Sequence, residues 1–132
     1  KNIELTTKKL TNSSGYKNKV SVKITNAKGV KTISGTVFGE DVQRVVDLDG
    51  FVIDVEPKGK MIIMKNKDIP GVVGKVGNIL GENGINISDF RLSRGKEGTA
   101  LAVILIDEKA NSKVTSELDN LEASIAVAYA EI

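Results

Sequence analysis

The sequence has no cysteine, no histidine and no tryptophan. Without cysteine there is no disulfide framework, no zinc–thiolate site and no thiol nucleophile. Without histidine the usual proton shuttle and the commonest metal ligand are missing. Aromatic residues are 4% of the chain, and proline occurs twice. Catalysis would have to run on Asp, Glu, Lys, Ser and Tyr alone, so no catalytic residue, metal site or cofactor is expected in these 132 residues. The longest unbroken apolar run is Ala100 to Ile106, far short of the ~18 residues a membrane span needs, so no membrane partner is expected. The chain opens on polar residues, with no sign of a signal peptide. Its first residue is Lys1 rather than Met, as expected of a piece cut from a longer protein.

What is present is unevenly charged. Residues 1–39 hold eight Lys and one Glu, residues 40–56 hold Arg44 against six acids, and residues 57–132 balance at ten against ten. A basic segment can meet nucleic acid or phosphate. Here Lys19, Ser21, Lys23 and Thr25 alternate with Val20, Val22 and Ile24, which reads as the solvated face of a strand. No Arg precedes Arg44, and Tyr16 and Phe38 are the only aromatics of that segment, so nucleic acid is not expected as a partner.

The pattern divides into residues 1–57 and residues 58–132, with Pro57-Lys58-Gly59 as the boundary. Residues 1–14 are polar, with a hint of strand at Ile3 and Leu5, and Thr11 to Gly15 reads as loop. Residues 19–56 read as an antiparallel meander of four short strands. Turns fall at Asn26 to Gly29, Gly39 to Asp41 and Asp49-Gly50, and Gly35 marks a bulge. No helix pattern precedes residue 69 to cover this meander, so its cover is expected from elements upstream or from a second chain.

From Lys60 the grammar changes. A strand spans Lys60 to Asn66. A helix over 69–83 has Pro70 at its first position and Asn83-Gly84 at its exit. A strand over Ile85 to Arg94 carries a bulge near Ser88-Asp89. Thr99 to Ile106 is apolar on both faces, as a central strand must be. A helix over Asn111 to Leu121 and a strand through Ile125, Val127 and Tyr129 close the series. The fold class is therefore α+β: a ferredoxin-like βαββαβ module preceded by a small antiparallel β module. The open sheet face or edge predicts a dimer.

The stretch Asn66 to Gly74 carries the chemistry. A helix N-terminus offers unpaired N–H groups and partial positive charge to a carboxylate or phosphate. Gly71 leaves no side chain in the way, and Asp68 beside it can pair with an ammonium. The combination suits a free amino acid. The plainer alternative is that Asp68 only complements the helix dipole. Gly74, Gly77 and Gly81 fall within about 60° of one another around the helix, which implies close approach by a helix, a partner subunit or a ligand. They do not form a G-x-G-x-x-G loop. Asn86, between Ile85 and Ile87, can donate to a carboxylate and accept from an ammonium. Arg91 and Arg94 are placed with Asp89 on the outer face or a subunit edge, and Lys31 and Arg44 are candidates for an anion in the first module.

Asp68-Ile69-Pro70-Gly71 followed by Gly84-Ile85-Asn86-Ile87 resembles the ACT domain, a small-molecule regulatory module of amino-acid metabolism. With Ser34 to Glu40 and Asp49-Gly50-Phe51, residues 19–132 resemble the C-terminal end of the D-3-phosphoglycerate dehydrogenase family, an intervening domain followed by an ACT domain. The resemblance implies a cytoplasmic, NAD-dependent parent enzyme of L-serine biosynthesis, with its catalytic and NAD-binding parts outside this chain. It implies L-serine as allosteric feedback effector between ACT domains of a homodimer or tetramer. By motif position the effector contacts fall on Asn66, Asp68, Pro70 and Gly71 of one subunit and on Asn86 and Ile87 of the other. Asn66 stands where family members often carry His or an aromatic residue. Residues 1–57 would represent the later half of the intervening domain. The alternative parents are the β-type subunit of an iron–sulfur L-serine dehydratase, or another amino-acid-binding ACT module.

Overall fold

The computed structural model describes residues 18–26, 29–38 and 40–132. The strand and loop expected within residues 1–17, and the tips of the first two turns, lie outside the described residues. Two four-stranded antiparallel sheets follow one another along the chain.

The first sheet is a meander of β1 (Val20–Asn26), β2 (Gly29–Phe38), β3 (Val42–Leu48) and β4 (Phe51–Val55), paired in that order. The expected bulge is present, as the β2–β3 register slips between Ser34 and Gly35. The β3–β4 turn puts Asp49 at φ 51° and Gly50 at φ 82°. Two positive φ values give the mirror-image turn whose twist matches a right-twisted hairpin. The Asp49 carboxylate also accepts the Thr32 N–H at 2.7 Å and faces Lys31 Nζ at 3.2 Å, which ties the turn to β2.

The second sheet has the order β6-β7-β5-β8, built from β5 (Lys60–Lys67), β6 (Ile87–Arg94), β7 (Thr99–Ile106) and β8 (Ser124–Glu131). Helices α1 (Val72–Glu82) and α2 (Ser112–Asp119) cross over on one face, completing the βαββαβ order. β7, apolar from Ala100 to Ile106, is central and splits its side chains by parity. Ala102, Ile104 and Ile106 join Ile62 and Met64 under Val76 and Leu80 of α1 and Val114 and Leu118 of α2. Leu101, Val103 and Leu105 point to the opposite face.

That opposite face is covered in part from within the chain. Phe51, Ile53 and Val55, alternate residues of β4, pack with Met61, Leu101, Val103 and Leu105 into a second core. The expectation that the meander takes its cover from upstream elements or a second chain is corrected for this strand: the hairpin ending in β4 and the β6–β7 half of the sheet cover each other. Each fully buried side chain of this size contributes about 1.5–3 kcal/mol. The cover stops at β4. The same face of β1 and β2 leaves Val20, Val22, Ile33 and Val37 exposed.

Two helix boundaries are informative. α1 starts at Val72, three residues later than its periodicity predicts, so Pro70 is not its first residue. The Asp68 N–H still pairs across the sheet with Gly98 O at 2.8 Å, and Ile69 N–H turns back onto Lys67 O at 3.0 Å, so the chain at 68–69 still follows the strand. Gly71 then takes φ 89° as the N-cap, a conformation that suits glycine. The exit at Asn83-Gly84 is as expected. Gly84 has φ 70°, its N–H reaches Gly81 O and the Ile85 N–H reaches Leu80 O, the paired bonds of a Schellman stop.

α2 has eight residues, too few to persist without help. Its start is fixed by Asn111, whose Oδ1 accepts the Val114 N–H at 3.1 Å. Asn111→Ala is expected to cost about 1 kcal/mol in urea unfolding, whereas Asn111→Ser is expected to cost at most a few tenths. Equal losses in the two variants would show that the cap bond is not what holds this end.

Candidate functional site

A cleft opens where β5 runs out and α1 begins. Its floor follows from one register. Ala100 of β7 pairs with Asn66 of β5 on one side and with Arg94 of β6 on the other. Directly paired residues project to the same face, so Asn66, Ala100 and Arg94 form a row under the helix layer. Ala100 and Ala102 are small, and the space above them is the cleft. Met64, Val72, Val76, Phe90 and Leu92 complete apolar walls around about 40 Å³, room for a few water-sized groups. The cleft opens into a groove of about 280 Å³ along Asp68 to Gly74, Leu92 and Arg94.

The polar groups of this corner are few. Asn66 is 3% exposed. Its Nδ2 donates to Lys67 O at 2.7 Å, while its buried Oδ1 has no hydrogen-bond partner among the described residues. A buried acceptor left unpaired costs about 1–3 kcal/mol, and a ligand donor would remove that cost. Asp68 stands at the rim with its side chain 29% exposed, 3.2 Å from Arg94 Nε. α1 begins between them with no side-chain cap and no acid in its first turn. Its first N–H groups and partial positive charge are therefore open to an anion. The corner thus offers a carboxylate, a guanidinium, an anion-seeking helix end and a buried acceptor above an apolar floor.

The expected site residues divide into two groups. Asn66, Asp68, Pro70 and Gly71 lie together along the cleft and groove. Asn86 and Ile87 do not join them in this chain. Asn86 O accepts the Asp107 N–H at the far end of β7, whereas Asp68 pairs with Gly98 at the near end. The eight residues of β7 between put the two about 30 Å apart. Asn86 lies just outside β6, exposed, with its Nδ2 donating to Asp107 at 2.7 Å and its N–H to Glu108 at 2.6 Å. Ile87 packs at the margin of the helix-side core.

Arg94 stands on the edge strand β6, one of the two places the sequence reading allows, but it projects to the helix-side face. It does not share a face with Arg91: Arg91 pairs with Asp89 at 3.0 Å, and Arg94 reaches Asp68. The available signal is parity, because Arg94 alternates in step with Phe90 and Leu92 beyond the bulge, where the β6–β7 register slips between Ile87 and Asp89. The glycine stripe on α1 is corrected in part. A Cβ added at Gly74, Gly77 or Gly81 meets nothing within 4 Å, so no helix of the described chain approaches them closely. Lys31 and Arg44, the anion candidates of the first sheet, are engaged by Asp49 and by Asp54 at 2.6 Å. The hydrogen bond to Asp54 raises the pKa of Arg44, and the one from Tyr129 lowers that of Glu131, but neither pair lines the cleft.

Comparison with known proteins agrees with this architecture. The ACT domain family model matches residues 60–123. D-3-phosphoglycerate dehydrogenase of Bacillus subtilis is 34% identical over 126 residues, covering 95% of this chain and 24% of that protein. The enzyme of the same name from Archaeoglobus fulgidus is 33% identical over 103 residues, 76% of this chain and 19% of that protein. That of Mycobacterium tuberculosis is 34% identical over 99 residues, 74% of this chain and 19% of that protein. The chain thus spans 19–24% of the length of these curated relatives. With its βαββαβ sheet, its cleft at the start of the first helix and this match, residues 60–123 form an ACT domain, and the chain is similar to a C-terminal part of D-3-phosphoglycerate dehydrogenase.

Proposed function

We propose that this chain is the regulatory part of a D-3-phosphoglycerate dehydrogenase and that its ACT domain binds L-serine between two copies. The parent activity in this reading is NAD-dependent oxidation of 3-phosphoglycerate, the first step of L-serine biosynthesis. The observation that carries the binding proposal is the buried, unpartnered Asn66 Oδ1 at the foot of a cleft rimmed by Asp68 and the open end of α1. A zwitterion with a small hydroxylated side chain matches these groups. Its ammonium meets Asp68, its carboxylate meets the helix end, and its hydroxyl donates to Asn66.

Asn86 enters from a second copy in this reading, which fits its separation from Asp68 within one chain. L-serine would then favour the arrangement of copies that brings the two together. An effector shifts an equilibrium only by its differential affinity for the two states, typically 1–3 kcal/mol. A route from the cleft to the first sheet exists in covalent sequence. Arg94 borders the groove, and the next residue, Gly95, lies against the Phe51 ring. The alternative parent, an iron–sulfur L-serine dehydratase, gains no support from the relatives named above, which are all dehydrogenases by name.

Isothermal titration of the chain with L-serine, alongside sedimentation, tests the reading. Saturable heat at millimolar serine or below is expected from a sample that is dimeric. Asn86→Ala is expected to weaken that binding about tenfold without altering the monomer fold. A dimer that takes up no serine would remove the effector assignment.

A further inference from the structure

We propose that Arg94 is the carboxylate-binding residue of the amino-acid site and that it trades its partner when the ligand enters. This deepens the amino-acid reading above and rests on it. Arg94 projects from the last position of β6, paired with Ala100, in the same row as Asn66. The backbone beneath it is held: Gly95 N–H donates to Thr99 O at 2.8 Å, and Gly95 packs against Phe51 and Thr99. The side chain itself is 80% exposed and reaches Asp68 through a single contact of Nε at 3.2 Å. A fixed base and an exposed head describe a group that can turn between two partners. An exposed pair of this kind is worth little, so exchanging it is cheap.

Charge decides the exchange. Among the described residues that line the corner, Asp68 is the acid and Arg94 the base, each serving the other. A zwitterion brings one charge of each sign. Its ammonium can replace the guanidinium on Asp68, and the released guanidinium can meet the ligand carboxylate. Every charge then remains paired, and no ion is left without a partner near the apolar walls. A planar guanidinium presents a two-pronged face to a carboxylate, which lysine does not. Arg94 and the first N–H groups of α1 both line the groove, so they would hold the carboxylate from two sides. The site is therefore selective for α-amino acids over amines of the same size.

The test compares L-serine with L-serinamide, which keeps the ammonium and hydroxyl but lacks the carboxylate charge, on the wild-type chain and on Arg94→Gln and Arg94→Lys. The wild type is expected to bind serine at least tenfold more tightly than serinamide. Arg94→Gln is expected to bring serine down about tenfold while leaving serinamide within twofold, and Arg94→Lys is expected to fall between. An unchanged thermal midpoint in Arg94→Gln separates this role from a structural one. Serine binding that is unchanged or tightened by Arg94→Gln overturns the proposal and leaves the amino-acid reading standing. A wild-type dimer that binds neither compound overturns both.

Discussion

Asp68→Asn is expected to weaken L-serine binding about 100-fold, or about 2.7 kcal/mol, while the thermal midpoint moves by no more than about 2 °C. The substitution preserves shape and removes the negative charge proposed to meet the ammonium. A hydrogen bond to a charged group is worth about 1.5–3 kcal/mol, and freeing Arg94 for the ligand carboxylate offsets little of that loss, because its exposed pair with Asp68 is weak. The fold is spared for two reasons. The strand extension at this position is made by the backbone, from Asp68 N–H to Gly98 O. The pair with Arg94 is exposed on the arginine side, and pairs of that kind contribute about 0–1 kcal/mol. Titration calorimetry and thermal unfolding on one preparation separate the two effects. Retained serine affinity in Asp68→Asn would show that the ammonium is held elsewhere.

Phe51→Ala is expected to destabilise the chain by about 3–4 kcal/mol and to lower its thermal midpoint by about 10 °C. Phe51 is 6% exposed and is the largest side chain of the core shared by β4 and the second sheet. Its ring also lies 5.7 Å from Lys65 Nζ. Gly95 provides a complementary test. A Cβ there would lie 2.3 Å from Phe51 Cε1 and 3.0 Å from Thr99 Oγ1, so Gly95→Ala alone is expected to cost about 1–3 kcal/mol by overpacking. In the Phe51→Ala background the ring is gone, and the added methyl occupies part of the space it leaves. The double variant is therefore expected to be more stable than the sum of the single losses by at least 1 kcal/mol. Strict additivity in urea unfolding would show that the two residues do not meet.

The core of the second sheet was legible because its signal is local. Val76, Leu80, Val114 and Leu118 repeat at helix period, which names their buried side, and the apolar run Met61 to Met64 marks a strand covered on both faces. Asp49-Gly50 and Asn83-Gly84 were legible because their backbone conformations suit few residues. The start of α1 was less so, since Ile69 extends the apolar stripe while its N–H turns back onto Lys67 O. Asn66, Asp68 and Gly71 could be grouped from spacing, as they flank one strand-to-helix junction. Arg94 could not be paired with them from spacing, being 26 residues from Asp68.

The sequence by itself determined the order of elements, the turns between them and one end of the cleft, because periodicity, glycine geometry and helix termini act over a few residues. Tertiary structure alone decided that β4 closes the second sheet, that Ala100 lines up Asn66 with Arg94, and that Asn86 lies a strand's length from Asp68. These depend on strand register across β5, β7 and β6, where a slip of one residue turns every side chain to the other face. Register is fixed by the sum of contacts over the sheet, and no short stretch of chain contains that sum.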